Sequence, residues 1–274
     1  SLLTNKEAIY SNLFIFSDGF KSNVDRKDVL DLRQSIKNIK GFKSVKIFEI
    51  KKNKGLSNSI IDGVNIIIKK YGRAIILEDD LIVSKFFLNF INKGLDVYKN
   101  NKDIWSISGY SPTLPYLKSY RHEVYLSLRS SSWGWATWSN RWCKIDWKLR
   151  DFYKLKKEKN KIKQFCQGGD DLFKMLELQY LGRIDSWAIR WCYSQFLNSA
   201  YSITPKNSMT QNIGFGDNFS THNKGKGTKW RVELCDKKIY NFDAKINRRI
   251  FTDFKKFHDL IFLNANKILS KDLI

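Results

Sequence analysis

Between residues 13 and 77 the sequence alternates short apolar runs with amphipathic stretches, and this alternation restricts the fold more than any other feature. Leu13-Phe14-Ile15-Phe16 is a strand pattern that ends on the turn Ser17-Asp18-Gly19. Val29, Leu32, Ile36 and Ile39 then fall at helical spacing within residues 25–39. Val45 to Ile50 is a second strand, broken at Asn53-Lys54-Gly55-Leu56, and Ile60, Ile61, Val64, Ile67 and Ile68 mark a second helix. A third strand follows at 74–77. Strand, helix, strand, helix, strand at these lengths predicts a parallel sheet with right-handed crossovers. Each strand carries its polar residues just beyond its C-terminal end, where open α/β sheets bind ligands.

The third strand, Ala74-Ile75-Ile76-Leu77, stops on three carboxylates, Glu78-Asp79-Asp80. Adjacent anions repel, and a divalent cation with oxygen ligands is the natural compensation; such a cation at a sheet edge usually serves a phosphate-bearing substrate. A solvated acidic loop after a strand is the competing reading.

Farther on, Phe86 to Tyr98 reads as a helix, and Ile104 to Ser108 and Tyr125 to Leu128 read as strands. Trp133-Gly134-Trp135-Ala136-Thr137-Trp138 crowds three tryptophans around one glycine. The charged stretch 148–163 is a solvated helix or loop. Gly168-Gly169-Asp170-Asp171 opens a helix whose acids suit its N-terminal dipole. From Arg248 to Ile274, the residues Ile250, Phe254, Phe257, Ile261 and Ile268 recur at helical intervals in a basic segment, which makes it a docking helix or a membrane-surface helix.

At 274 residues the chain has room for one large domain or a domain with an appendage. Its formal charge of +22 favours anionic partners, although the lysines are spread along the whole sequence. No run approaches the roughly 18 apolar residues of a membrane span. Cys143, Cys166, Cys192 and Cys235 are widely spaced with no C-x-x-C pair, which signals neither a zinc site nor a disulfide framework and suits reduced thiols in the cytoplasm.

Ser17-Asp18-Gly19, Asn53-Lys54-Gly55-Leu56 and the strand-terminal Glu78-Asp79-Asp80, in this order, resemble the nucleotide-binding half of GT-A glycosyltransferases. The Trp133 to Trp138 motif followed by Gly169-Asp170-Asp171 is similar to bacterial sugar transferases related to N-acetylglucosaminyltransferase I. The resemblance covers about residues 1 to 225. It implies an α/β fold of the GT-A, Rossmann-like kind, a mostly parallel sheet flanked by helices with a C-terminal helical extension. The expected division is a glycosyltransferase domain over 1–235 and a basic amphipathic extension over 236–274. Relatives begin with a further strand and helix, so Ser1 to Tyr10 matches only the tail of that helix. Residues absent from the sequence and an incomplete, inactive protein both fit this.

The resemblance implies a divalent metal, Mn²⁺ or Mg²⁺, on Asp80, neutralising the diphosphate leaving group of a nucleotide sugar. Asp79 faces the ribose and Glu78 belongs to the donor site without a defined role. Asp18, Lys54 and Asn58 surround the nucleotide, with a turn-capping role for Asp18 as the alternative. Asp171, and after it Asp170, is the candidate base for an inverting transfer, against plain helix charging. Trp133, Gly134 and Trp135 line the sugar sites unless the tryptophans form a core cluster, and Arg190 shapes the acceptor side. His222, in a Gly-rich loop, is a candidate metal ligand, or merely exposed.

The expected protein is therefore an inverting hexosyltransferase in bacterial surface polysaccharide or lipo-oligosaccharide assembly. Its donor is a UDP-sugar in the first instance and its acceptor a glycan or lipid-linked glycan. The setting is cytoplasmic, with peripheral contact at the inner membrane face. A noncatalytic nucleotide- or sugar-binding module is the alternative. Nucleic acid is not expected, because the aromatics cluster with Gly and acids rather than with a basic stripe.

Overall fold

The computed structural model describes residues 1–214 and 227–271, with side chains left out at 227, 228 and 260–271. The chain opens with two short turns of 3-10 helix, Leu2–Thr4 and Ala8–Tyr10. Then come β1 (Asn12–Ser17), α1 (Arg26–Ile36), β2 (Ser44–Glu49), α2 (Leu56–Tyr71), β3 (Arg73–Ile76), β4 (Leu81–Val83), α3 (Phe87–Val97) and β5 (Ile104–Ser108). The second half contains β6 (Val124–Ser127), β7 (Trp135–Trp138), α4 (Ser139–Trp142), α5 (Phe152–Lys157), α6 (Lys159–Phe165), α7 (Asp171–Tyr180), α8 (Trp187–Leu197), β8 (Tyr201–Pro205), β9 (Thr210–Asn212) and α9 (Arg248–Lys271).

These strands do not make the mostly parallel, Rossmann-like sheet that the early alternation and the GT-A resemblance predict. The main sheet is mixed and mostly antiparallel, with five strands in the order β3-β7-β5-β8-β6 and a single parallel pair, β5 with β8. The crossover through α1 does give a parallel pair, β1 with β2, but the pair forms a two-stranded sheet of its own. The expectation fails at β3. Its neighbour is β7, antiparallel, with Ala74 opposite Thr137 and Ile76 opposite Trp135. Trp-Ala-Thr-Trp is a strand because aromatic and β-branched side chains suit a pleated, buried surface. A third small sheet pairs β4 with β9, Leu81 opposite Asn212 and Val83 opposite Thr210.

Two cores flank the main sheet. Helix α3 buries Phe87, Leu88, Phe90, Ile91 and Leu95, an amphipathic stripe that packs with Ile107, Ile203 and Met209. Gly94 allows close approach, since a Cβ there would sit 2.9 Å from the Ile107 side chain. Ile239 and Phe242 belong to this same core, which builds residues 239–242 into the body of the protein. The other core holds Trp105, Trp135, Trp142, Trp187 and Trp191 with Val64, Ile68, Ala74 and Ile76. Trp135 and Trp187 stack there with centroids 5.0 Å apart. The first turns of α9 cover a smaller cluster, where Ile250 and Phe254 pack with Leu114, Leu117, Tyr120 and Tyr125. Among the described residues no helix is long and apolar enough to cross a membrane.

Arg33 of α1 joins the ends of β1 and β2. Its Nη2 donates to the carbonyls of Ser17, Asp18 and Ile50 at 3.2, 3.0 and 2.8 Å. The Ser17 carbonyl also accepts from Ile50 N at 2.9 Å, and the buried guanidinium ties it to the carbonyls of Asp18 and Ile50 at the same end of the pair.

Candidate functional site

The acid run sits where β3 gives way to β4, and the β4–β9 ribbon fixes its last member. The Asp80 carbonyl accepts from Ile213 N at 2.8 Å, and Asp80 Oδ2 accepts from Asn212 Nδ2 at 2.8 Å. Gly214 lies against the same carboxylate, where a Cβ would come within 2.7 Å of Oδ2. Asp80 Oδ1 is buried and has no hydrogen-bond partner among the described residues. Buried carboxylate oxygens are rarely left this way, because each unpaired one costs desolvation energy. Burial raises the Asp80 carboxyl, the Asn212 hydrogen bond opposes this, and Asp79 adds repulsion. Glu78 is pushed up to about 7, first by burial and then by Asp80 and Asp79.

Glu78, Asp79 and Asp80 open into a cleft of about 1310 Å³. Tyr110 and the segment from Arg129 to Trp133 form one part of its lining; Arg183 to Ile189, Trp230, Phe254 and His258 are among the other residues that face it. The cleft thus draws on the ends of β3 and β5, the loop before β7, the start of α8 and the C-terminal helix.

The tryptophan motif divides between cleft and core. Gly134 has φ +71°, and a Cβ there would stand 2.7 Å from Thr210 Cγ2, so only glycine fits the turn. Trp133, before it, lines the cleft and meets Tyr110 edge-on at 4.5 Å. Trp135, after it, is 1% exposed within the tryptophan core and does not reach the cleft. Arg190 stands outside the lining too. It donates to Ser57 Oγ at 2.8 Å and the Ser186 carbonyl at 3.2 Å, and pairs with Asp185 at 3.2 Å. Its place is behind the Asp185–Ser186 wall, holding it.

Asp171 is 8% exposed, with both carboxylate oxygens taken by Arg129 at 2.7 and 2.8 Å. Burial alone would raise its carboxyl; Arg129 overrides burial and holds it below the ordinary range. In this arrangement it is Arg129 that lines the cleft, with Asp171 behind it. Asp170 is exposed and paired with Lys255 at 2.6 Å. Neither acid is a cleft-lining carboxylate. Asp185 is, and the sequence reading gave it no role.

Asp18 accepts backbone N–H groups from Gly19, Lys54 and Gly55 at 2.9 to 3.1 Å, which clamps the 53–55 loop onto the end of β1. Lys54 Nζ pairs with Asp62 at 2.6 Å, and Asn58 Nδ2 donates to the Lys54 carbonyl at 2.9 Å. Asp18 and Lys54 line a separate cavity of about 270 Å³ with Phe16 and Phe48, whose rings stack at 4.6 Å. Asn58 lines neither cavity. His222 lies outside the described residues.

His258 is a further cleft residue that no motif in the sequence singles out. It follows Ile250 and Phe254 at intervals of four on the buried stripe of α9, a spacing that places an imidazole where a hydrophobe is expected.

Among the described residues no group of three or more His, Cys, Asp or Glu is arranged to hold a metal. The donor set around Asp80 fits a hard divalent ion that takes one or two carboxylates and draws its remaining ligands from substrate phosphates and water. No protein-family model matches this chain, and no curated protein matches it.

Proposed function

We propose that this protein is a metal-dependent glycosyltransferase that moves a sugar from a nucleotide-sugar donor to a glycan or lipid-linked acceptor. One observation carries the reading. Asp80 presents a buried oxygen with no hydrogen-bond partner among the described residues, beside two further acids that line a large cleft with an aromatic wall. Burial and mutual repulsion raise the carboxyls of Glu78 and Asp80, a cation relieves both, and a diphosphate brings such a cation with it.

Asp80 would hold the ion, with Asn212 fixing the carboxylate and Asp79 exposed beside it for the ribose hydroxyls. When bound, the ion supplies Lewis-acid stabilisation of the charge that grows on the departing diphosphate. Trp133 offers an apolar face to a sugar ring. Inverting transfer needs a base near the acceptor hydroxyl, and Asp185 is the cleft carboxylate outside the acid run. The test is nucleotide release from UDP-glucose, UDP-galactose and UDP-N-acetylglucosamine with manganese. The wild type should release UDP from at least one donor and Asp80→Ala from none; silence with all donors, or full activity in the variant, overturns the proposal.

A noncatalytic nucleotide- or sugar-binding module is the second reading. The observation in its favour is that the acid pair first expected to act as base is engaged elsewhere, Asp171 with Arg129 and Asp170 with Lys255. It predicts metal-dependent UDP binding without turnover.

A further inference from the structure

We infer that the end of the cleft walled by Tyr110, Trp133, Trp230 and His258 is the acceptor subsite, and that it takes a neutral pyranose. The inference rests on the transferase reading for the word acceptor, but the subsite has its own evidence.

Four rings from distant parts of the sequence converge there. Trp133 lies 4.5 Å from Tyr110 and 5.2 Å from Trp230, and Trp230 lies 5.8 Å from His258, centroid to centroid. All four residues line the cleft. Aromatic walls of this kind suit the apolar C–H faces of sugar rings, and they offer nothing to a strongly hydrated ion.

The imidazole in this wall is selective. His258 Nδ1 lies 2.9 Å from the Phe254 carbonyl, which only accepts, so Nδ1 carries the proton and Nε2 is an acceptor. Burial, and then the charge of Arg129, hold the ring neutral, with its pKa lowered to about 3. A ligand meeting Nε2 must therefore bring a donor, and a hydroxyl is the donor that sugars carry in abundance. Arg129, the cation whose charge acts on His258, is already matched by Asp171, and Lys255, three residues earlier on α9, by Asp170 and Asp259. A carboxylate or phosphate at this end would face an acceptor lone pair and neutralised cations. Arg183 also lines the cleft, which makes an acidic sugar the outcome to guard against.

The experiment is saturation-transfer NMR on the full chain with methyl β-glucopyranoside, methyl β-galactopyranoside and methyl β-glucuronide, with and without UDP and manganese. At least one neutral glycoside should bind, and more tightly than the glucuronide. Trp230→Ala and His258→Leu should each weaken it about tenfold, while Trp230→Phe and His258→Gln, which keep a ring and an acceptor, recover most of the loss. Cooperative thermal unfolding of each variant shows that it is folded. Preferred binding of the glucuronide, no glycoside binding beside intact UDP binding, or neutral binding that ignores both positions overturns the subsite. Glycoside binding at Trp230 and His258 with no UDP binding overturns the transferase reading instead and leaves a sugar-binding site.

Discussion

Arg129 holds Asp171 by both oxygens, Nη1 to Oδ1 at 2.7 Å and Nη2 to Oδ2 at 2.8 Å, in a setting where both side chains are largely buried. Removing one member of such a pair leaves the other charge buried and unmatched, which typically costs 3–5 kcal/mol. Asp171→Ala should lower unfolding free energy by about 3 kcal/mol in urea titration at pH 7. Because the folded pKa is depressed, this stabilisation is complete above about pH 4 and fades as the pH falls through the folded value. A variant as stable as the wild type at pH 7 would show that the pair is not a structural bond.

Glu78 behaves in the opposite sense. Its folded pKa of about 7 stands above the unfolded value of 4.5, so the folded state binds the proton more tightly. The resulting stability is complete below about pH 4.5 and is lost as the pH rises toward 7. Metal-free protein should therefore show a melting temperature that declines between pH 5 and 8, and Glu78→Gln should flatten that decline. An unchanged slope in the variant would place the ionisation elsewhere.

Asn212 reaches Asp80 Oδ2 and leaves Oδ1 open. Supporting groups of this type usually change metal affinity 10–100-fold when removed. Calorimetric titration of UDP in the presence of manganese should find Asn212→Ala weaker by about that factor, with the metal-independent component unaltered. Equal affinity in wild type and variant would remove Asn212 from the site.

The two tryptophans around Gly134 should separate by assay. Trp135→Ala empties a buried position that packs against Trp142, Trp187 and Trp191 and should cost about 3–5 kcal/mol of stability. Trp133→Ala, at the cleft surface, should cost clearly less and register chiefly as weaker methyl glycoside binding. If both variants lose the same stability, the division between core and cleft is wrong.

The helices α1, α2 and α3 and the strands β1, β2 and β3 were legible because each has one clear period and one clear stop, whereas α8, rich in aromatics on every side, was not. Ile60, Ile61, Val64 and Ile68 lie on α2, and the apolar run before Glu78 is β3. Pairing partners were not legible. Nothing local in Arg73–Ile76 tells it to accept Trp135–Trp138 in antiparallel register, since that choice depends on partners 59 to 65 residues away. β4 and β9, three residues each, are too short to carry a period. At the site, the acids were visible as an improbable charge density. Asp171 was visible too, but its partner Arg129 was hidden in a serine-rich loop. His258 occupied a position whose helical spacing was readable and whose chemistry was masked by its apolar neighbours.

The parallel β1–β2 pair makes no ladder with the five-stranded sheet. Leu13 to Phe16 are all only partly buried. An element with so few buried residues and no ladder to the main sheet should open more readily than the main core. Its amides should exchange faster than those of β5 and β8, whose residues are nearly all buried. The cavity between Phe16, Phe48 and α2 borders this pair. A small molecule lodged there would slow exchange across β1 and β2 while leaving β5 and β8 unaltered, so that local order, rather than shape, would record its arrival.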